Sequence, residues 1–300
     1  MRIGLIGCVE SSFVALNRLL KNSNKDIKIV AVITKQKSDF NSDFVDLSSI
    51  CKDNSIPVHY EESNKKEKSV DFMKSHKPDV IYCIGWSYLL DETFLSIPSH
   101  GIVGFHPASL PSNRGRHPII WSLALGLKDT SSTFFMMDEG ADTGPIISQK
   151  KIKIEQKDTA KTLYKKILNE MGPQIDQFTN QFYMGTIRPK VQDHSKSNNW
   201  RKRSFIDGKI DWRMTADDIY NLVRALSDPY PGAHYEFKEK IYSVFKSKIS
   251  KKKYNLNLEP GKVLSINKKE NKFLIKCAGY KAIWIYNSSK ITHINCGEYL

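Results

Sequence analysis

The sequence predicts an α/β protein in two parts: an open, mostly parallel sheet with helices on both faces, followed by a smaller C-terminal β-barrel domain. Three observations carry this reading. Apolar runs alternate with amphipathic stretches through the first hundred residues. One long amphipathic segment and then a polar stretch follow. Beyond them, short β-prone runs succeed one another between lysine- and asparagine-rich turns.

Arg2–Gly7 (RIGLIG) reads as a buried strand, and Ser11–Leu20 sets Phe13, Leu16, Leu19 and Leu20 at helical spacing. Lys28–Thr34 (KIVAVIT) and Ile56–His59 are the second and third strands, with helical spacing over Phe44–Asp53 between them. Val70–Lys77 is a helix, Asp79–Ile84 (DVIYCI) a fourth strand ending at Gly85, Asp91–Ile97 a helix and Gly101–His106 (GIVGFH) a fifth strand. Strands that are continuously apolar are buried on both faces, as in parallel sheets. Such sheets bind ligands beyond the carboxyl ends of their strands, so the loops after Gly7, Ile84 and His106 are the informative ones.

Pro118–Leu125 is a helix entered through proline. Ser132–Met137 and Gly144–Ile154 read as strands around an acidic turn, and Asp158–Tyr183 as one long helix with a kink at Gly172-Pro173. The polar run from Gly185 to Asn199 suits an interdomain linker, giving expected domains over 1–186 and 204–300 with a linker over 187–203. Ala216–Ser227 is a helix. Tyr235–Phe237, Lys240–Phe245, Lys262–Asn267, Phe273–Lys276 and Ala282–Ile285 are short strands at the spacing of a small barrel.

No window approaches 18 consecutive apolar residues, so no membrane span is expected. MRIGLIGCVESS lacks the long apolar core and cleavage site of a signal peptide. Five scattered cysteines without a C-x-x-C pair support neither a disulfide framework nor a zinc cage, so a cytoplasmic protein without a metal is expected. The net charge of +14 divides into zero over residues 1–100, +4 over 101–200 and +10 over 201–300. That basic final third suits a solvated lysine-rich surface or attraction for phosphates or a polyanion. Its lysines, Lys246, Lys248, Lys251, Lys252 and Lys253 among them, show no aromatic pattern for stacking bases.

Gly4-Leu-Ile-Gly7 does not match G-x-G-x-x-G, so a dinucleotide fingerprint is absent. Close packing explains its glycines, and Glu10, Ser11 and Ser12 follow as polar groups at a sheet edge. His106 ends a core strand at the ligand-binding edge. Asp138, Glu139 and Asp142 crowd the turn Met137–Pro145, where turn capping accounts for one or two of them.

Phe105-His106-Pro-x-x-Leu-Pro-x-x-Arg114-Gly115-x-x-Pro118-Ile119, followed by Ala141-Asp142-Thr143-Gly144, resembles the 10-formyltetrahydrofolate-dependent formyltransferases. The likeness continues in Ile84–Leu90, in Ile210-Asp211-Trp212, and in Asn221–Ala225 and Asp228–Ala233. It implies a Rossmann-like first domain, an OB-like second domain and 10-formyltetrahydrofolate as co-substrate, with no metal. It further implies catalytic roles for His106 and Asp142, and folate contacts by Ile84, Gly85, Trp86, Tyr88, Leu89, Leu90, Asp138 and Gly140. The chemistry suits these residues, because histidine handles a proton near pH 7 and a carboxylate orients and stabilises its charged form. Two positions depart from the pattern: Gly104 stands where the family has an asparagine that helps hold the formyl oxygen, and Ala108 where a serine is common. Ser109, Asn113 or Tyr88 is expected to take over that oxygen, or His106 to carry more of that load.

Within the family, the Gly7–Ser12 opening, the Ser38–Phe44 loop and Asp228–Ala233 look like the nucleotide-sugar branch. The implied acceptor is the amine of a uridine or thymidine diphosphate amino-dideoxysugar, as in surface glycan biosynthesis. Glu10, Ser11, Ser12, Arg114, Gly115, Arg201, Arg203 and Arg224 are its candidate contacts, with Arg201, Arg203 and Arg224 the candidates for the diphosphate. For Arg201 and Arg203 a solvated surface role serves equally well. Methionyl-tRNA is the less favoured acceptor. A nucleotide-sugar or folate-binding module without turnover is the reading from another class, supported by Gly104, and a homodimer is a possible assembly.

Overall fold

The computed structural model describes residues 1–38, 41–62, 66–287 and 294–300, so Asp39 and Phe40 of the Ser38–Phe44 loop lie outside the described residues. The chain begins with β1 (Arg2–Ile6), α1 (Glu10–Leu20), β2 (Lys28–Thr34), α2 (Ser48–Asp53) and β3 (Val58–Tyr60). It continues with α3 (Lys66–Ser75), β4 (Val80–Cys83), α4 (Glu92–Leu95), β5 (Ile102–His106) and β6 (Arg114–Gly115). Then come α5 (Pro118–Ala124), β7 (Asp129–Met136), β8 (Ile146–Lys153), α6 (Ala160–Tyr183) and β9 (Asn199–Trp200). The last stretch holds α7 (Ala216–Ala225), β10 (Ala233–Phe237), β11 (Lys240–Ile249), β12 (Val263–Asn267), β13 (Lys272–Lys276) and β14 (Ala282–Asn287).

Seven strands make one sheet in the order β3-β2-β1-β4-β5-β7-β8. The first five in that order pair in parallel, and β7 runs antiparallel to β5. The mostly parallel α/β expectation is therefore met, with helices on both faces. Alternation along β4 shows why: Ile81 and Cys83 join Met73 of α3 and Phe94 of α4 in one buried cluster. Tyr82 points to the other face, where its hydroxyl meets Thr179 of α6 at 2.8 Å and its ring lies edge-on to Phe178. Burying each such side chain contributes about 1.5–3 kcal/mol. Helix α2 begins at Ser48 rather than at Phe44, because the Asp46 carboxylate accepts from the Ser48 N–H (2.9 Å) and Phe44 bridges to Val9 instead.

The chain resolves into two compact units: Met1–Gly115, Thr130–Ile152 and Lys165–Trp200 form the first, and Arg116–Asp129, Lys153–Tyr164 and Arg201–Leu300 the second. Helix α5 thus packs with α7 in the second unit although it precedes β7 in the chain. The segment expected as a linker is tied down over much of its length: β9 pairs with β6, and Lys190 exchanges two 2.8 Å backbone hydrogen bonds with Ile146. Its polar side chains pair with polar groups on other loops, which is why its composition reads as a tether.

The second unit contains an antiparallel five-stranded sheet, β10-β11-β14-β13-β12, the smaller β domain anticipated from the sequence. Helix α7 is capped by the Thr215 hydroxyl on the Asp218 N–H (3.1 Å) and buries Ile219, Leu222 and Val223. The register sets Lys246 and Lys272 opposite Tyr286, and Lys248 opposite Trp284. The ammonium of Lys246 lies 4.6 Å from the Tyr286 ring centroid, and that of Lys272 lies 4.9 Å from Trp284. Lys246 and Lys272 therefore lie over aromatic rings across the strands, contacts that only strand pairing could supply. Among the described residues, no helix is long and apolar enough to cross a membrane.

Candidate active site

Strand β5 ends at His106, which is 5% exposed and lies at the carboxyl edge of the first unit's sheet. The loop that follows turns back so that the Asn113 carbonyl accepts a 2.7 Å hydrogen bond from His106 Nε2. With Nε2 protonated, the neutral ring has a bare Nδ1. That atom faces Asp142 Oδ2 at 3.5 Å. The same carboxylate oxygen accepts from the Gly115 N–H at 2.9 Å, which fixes it in front of the ring. Once protonated, Nδ1 forms an ion pair with Asp142.

Both loops that meet here are conformationally demanding. Asp142 sits at φ 59° and Asn113 at φ 66°, left-handed positions that aspartate and asparagine tolerate better than other side chains. Gly115 has φ 100°, and a Cβ there would lie 2.3 Å from the Trp200 carbonyl, so the β6–β9 pairing admits only glycine. At Gly104 the constraint is space. A Cβ would lie 2.7 Å from Phe135 Cζ and 2.9 Å from Met137 Cγ, so ring and thioether fill the volume that a longer side chain would need.

The three residues expected to take over the formyl oxygen differ in availability. Ser109 shares its hydroxyl with Ser131 at 2.7 Å, and the Tyr88 hydroxyl accepts from Lys35 Nζ at 3.3 Å. Asn113 spends its backbone carbonyl on His106 and its N–H on Asn198. No hydrogen bond from its side-chain amide is found among the described residues.

Around the expected folate loop, Trp86, Tyr88, Leu89 and Leu90 line a pocket together with Ile6, Ile33 and Phe94. Lys35, Glu61 and Asp91 are its charged members, and Lys35 Nζ lies over the Tyr88 ring at 4.4 Å. Ile84 and Gly85 are backbone supports: the Ile84 carbonyl accepts from Ser12 Oγ at 2.5 Å. Asp138 closes its own turn by accepting from the Gly140 N–H at 3.1 Å and from the Thr143 hydroxyl.

Several expected sugar contacts are committed elsewhere. Ser12 is fully buried, its hydroxyl also accepting from the Val9 N–H at 3.1 Å, and Ser11 is buried beside it, whereas Glu10 is exposed at the start of α1. Arg114 is 4% exposed and turned inward, donating to Gln192 Oε1 at 2.7 Å and contacting His194 Nδ1 at 3.1 Å. Arg224, in the second unit, is likewise buried, and its guanidinium donates to the carbonyls of Glu155 (3.0 Å) and Asp158 (3.2 Å) and to Asn221 Oδ1 (2.9 Å). Both guanidinium groups thus spend donors on internal acceptors, as desolvation in these positions demands. Arg201 pairs with Asp207 and lies over the Trp121 ring at 5.3 Å. Burial holds the neighbouring Arg203 below the ordinary arginine range.

Sequence reasoning missed Gln192 and Asn198, which reach the site from the supposed linker. Asn198 Oδ1 accepts from the Asn113 N–H (2.9 Å) and its backbone carbonyl from the Arg114 N–H (3.0 Å). No periodicity or motif marks either residue.

Comparison with known proteins places this geometry. Residues 2–175 match the formyl transferase family and residues 204–292 match the formyl transferase C-terminal domain. The bifunctional polymyxin resistance protein ArnA of Wigglesworthia glossinidia brevipalpis is 34% identical over 98% of this chain, which spans 45% of that relative's length. The solved structure of WlaRD, a sugar 3N-formyl transferase in the presence of dTDP and 5-N-formyl-THF, superposes with a TM-score of 0.70 at 18% identity, covering 97% of this chain and 99% of its own. An N-formyltransferase from Helicobacter canadensis in complex with folinic acid and dTDP-3-aminofucose gives 0.72 at 19% identity, covering 95% and 98%. At such identities these structures speak for the fold. The two family matches together span most of the chain, and His106 and Asp142 meet within the first of them, so the chain belongs to the formyl transferase family.

Proposed function

We propose that this chain transfers the formyl group of 10-formyltetrahydrofolate to the amine of a nucleoside-diphosphate-linked amino-dideoxysugar. The observation that carries the reaction is the His106 ring held between the Asn113 carbonyl and the Asp142 carboxylate. A neutral amine attacks the formyl carbon, giving a tetrahedral oxyanion and an ammonium group. His106 Nδ1 takes the ammonium proton, and Asp142 stabilises the imidazolium. Collapse of the oxyanion breaks the bond to the folate nitrogen, which takes the proton held on His106 and leaves as an amine, returning the ring to its neutral form. The Asn113 amide, without a hydrogen bond among the described residues and on the residue that grips His106, suits the role of oxyanion donor that Gly104 cannot fill.

The cavity beside Trp86 and Leu90 is apolar and aromatic with a few charged groups, which suits a flat heteroaromatic ring such as the pterin. The sugar acceptor is favoured by the sugar 3N-formyl transferase structure and by the N-formyltransferase complex with dTDP-3-aminofucose, whose chains match this one nearly end to end. Release of tetrahydrofolate tests the reading. The protein is incubated with 10-formyltetrahydrofolate and a panel of UDP- and dTDP-linked amino-dideoxysugars, with methionyl-tRNA in parallel. Release with a sugar is expected, and release with tRNA alone would overturn the acceptor.

One observation favours the tRNA reading: the lysines and aromatics interleaved on the C-terminal sheet, a combination that nucleic-acid surfaces use. Against it, the lysines already lie over those rings.

A further inference from the structure

We propose that Gln192 is a positioning residue for formyl transfer, holding the Asp142 turn and the Arg114 loop together so that Asp142 stays in front of His106. The proposal rests on the formyl-transfer reading of the site. Gln192 is 4% exposed, and its amide is used on both sides. Its Nε2 donates to the Asp142 carbonyl at 2.9 Å and to the Gly144 carbonyl at 2.6 Å, the two ends of the Asp-Thr-Gly turn. Its Oε1 accepts from the Arg114 guanidinium at 2.7 Å, which places His194 as the other group on that cation.

The consequence is geometric. Asp142 sits in a left-handed conformation that its neighbours must hold, and its carboxylate is aimed by the N–H of Gly115. Gly115 and Arg114 are adjacent, so one end of the Gln192 amide holds the turn that carries the carboxylate and the other holds the loop that aims it. Three of the four hydrogen-bonding positions of that amide are thereby filled, and no other side-chain type offers two donors and an acceptor on a stem of this length. The backbone pairing of Lys190 with Ile146 and of β9 with β6 anchors the strap on either side of Gln192.

Gln192→Ala removes both holds. Gln192→Glu keeps an acceptor for Arg114 and loses the donors to the turn, so it tests the hold on Asp142 with the packing retained. Val191→Ala, at a neighbour 74% exposed, is the control. Two measurements are made on the full chain: steady-state formyl transfer, and the His106 ring titration followed by NMR. In both Gln192 variants kcat is expected to fall about ten- to a hundredfold, the range for a partner that orients a reacting group, while KM for either substrate changes less than about twofold. The His106 titration is expected to move in the same direction as in Asp142→Asn, with Val191→Ala unchanged in both measurements. A lowered melting temperature with unaltered kcat and an unmoved His106 titration would show Gln192 to be structural only, and would sink the proposal. If the parent protein transfers no formyl group to any acceptor, the reaction reading fails, while the NMR comparison still decides whether Gln192 holds Asp142 against His106.

Discussion

Around His106, three separate stretches of chain converge on one ring and one carboxylate, whereas the lysines of β11 and β13 are spread along a sheet and lean on rings across the strands. The first region is nearly neutral in sequence and holds the residues of the proposed chemistry. The second holds most of the net charge of +14. Convergence with burial makes a reactive site, because a few groups then act on the same atoms in a low-dielectric setting. Charge spread over a surface makes a field but fixes no atom.

That contrast can be broken most directly at its centre. His106→Asn and Asp142→Asn are expected to lower kcat about 10²–10⁴-fold with an unchanged melting temperature, and near-parental turnover in either would remove the site from its proposed role. Asn113→Ala should cost about 10²–10³-fold in kcat if its amide holds the oxyanion. A loss confined to stability would instead assign Asn113 only to gripping His106.

The next effects are on stability and sharpen the distinction between the two units. Arg224→Ala strands several buried carbonyls, and thermal unfolding should show a loss of about 1–3 kcal/mol with KM for the nucleotide sugar unmoved. A raised KM at constant melting temperature would restore Arg224 to the diphosphate. Gly104→Asn puts a side chain into the space of Phe135 and Met137, and is expected to destabilise by about 1–3 kcal/mol without raising kcat. The smallest effect belongs to the Arg201–Asp207 pair in the second unit, whose guanidinium is exposed. The hydrogen-bonded Arg201 guanidinium holds the Asp207 carboxyl well below the ordinary carboxylate range. A depressed folded value stabilises above the unfolded value, near 4, and that stabilisation is lost as pH falls through the folded one. Asp207→Asn should therefore cost about 1 kcal/mol or less at neutral pH, and the difference from the parent should shrink below about pH 4 in acid-unfolding curves.

Much of the first unit was legible because its signals are local. KIVAVIT and DVIYCI are strands by apolar continuity, and observed β2 and β4 lie within them. His106 could be placed at a strand end, and Asp142 in a turn, from patterns a few residues long. Gln192 and Asn198 could not, since a polar residue in a polar stretch carries no sign of the carbonyl it will meet. The filling of Gly104 was hidden for the same reason: Phe135 is thirty-one positions away in sequence and becomes its neighbour through the antiparallel pairing of β5 with β7.

The sequence by itself determined the alternation of strand and helix, the two-part organisation, and the histidine and carboxylate on which the proposed chemistry turns. These follow from periodicity and residue type, which act within a few residues. Only the tertiary structure decided that Arg114 and Arg224 turn inward, that the supposed linker holds the Asp142 turn, and that lysine lies over aromatic rings on the C-terminal sheet. Each is a contact between distant segments. Buried polar groups must find partners wherever the fold brings them, and no local pattern states where that will be.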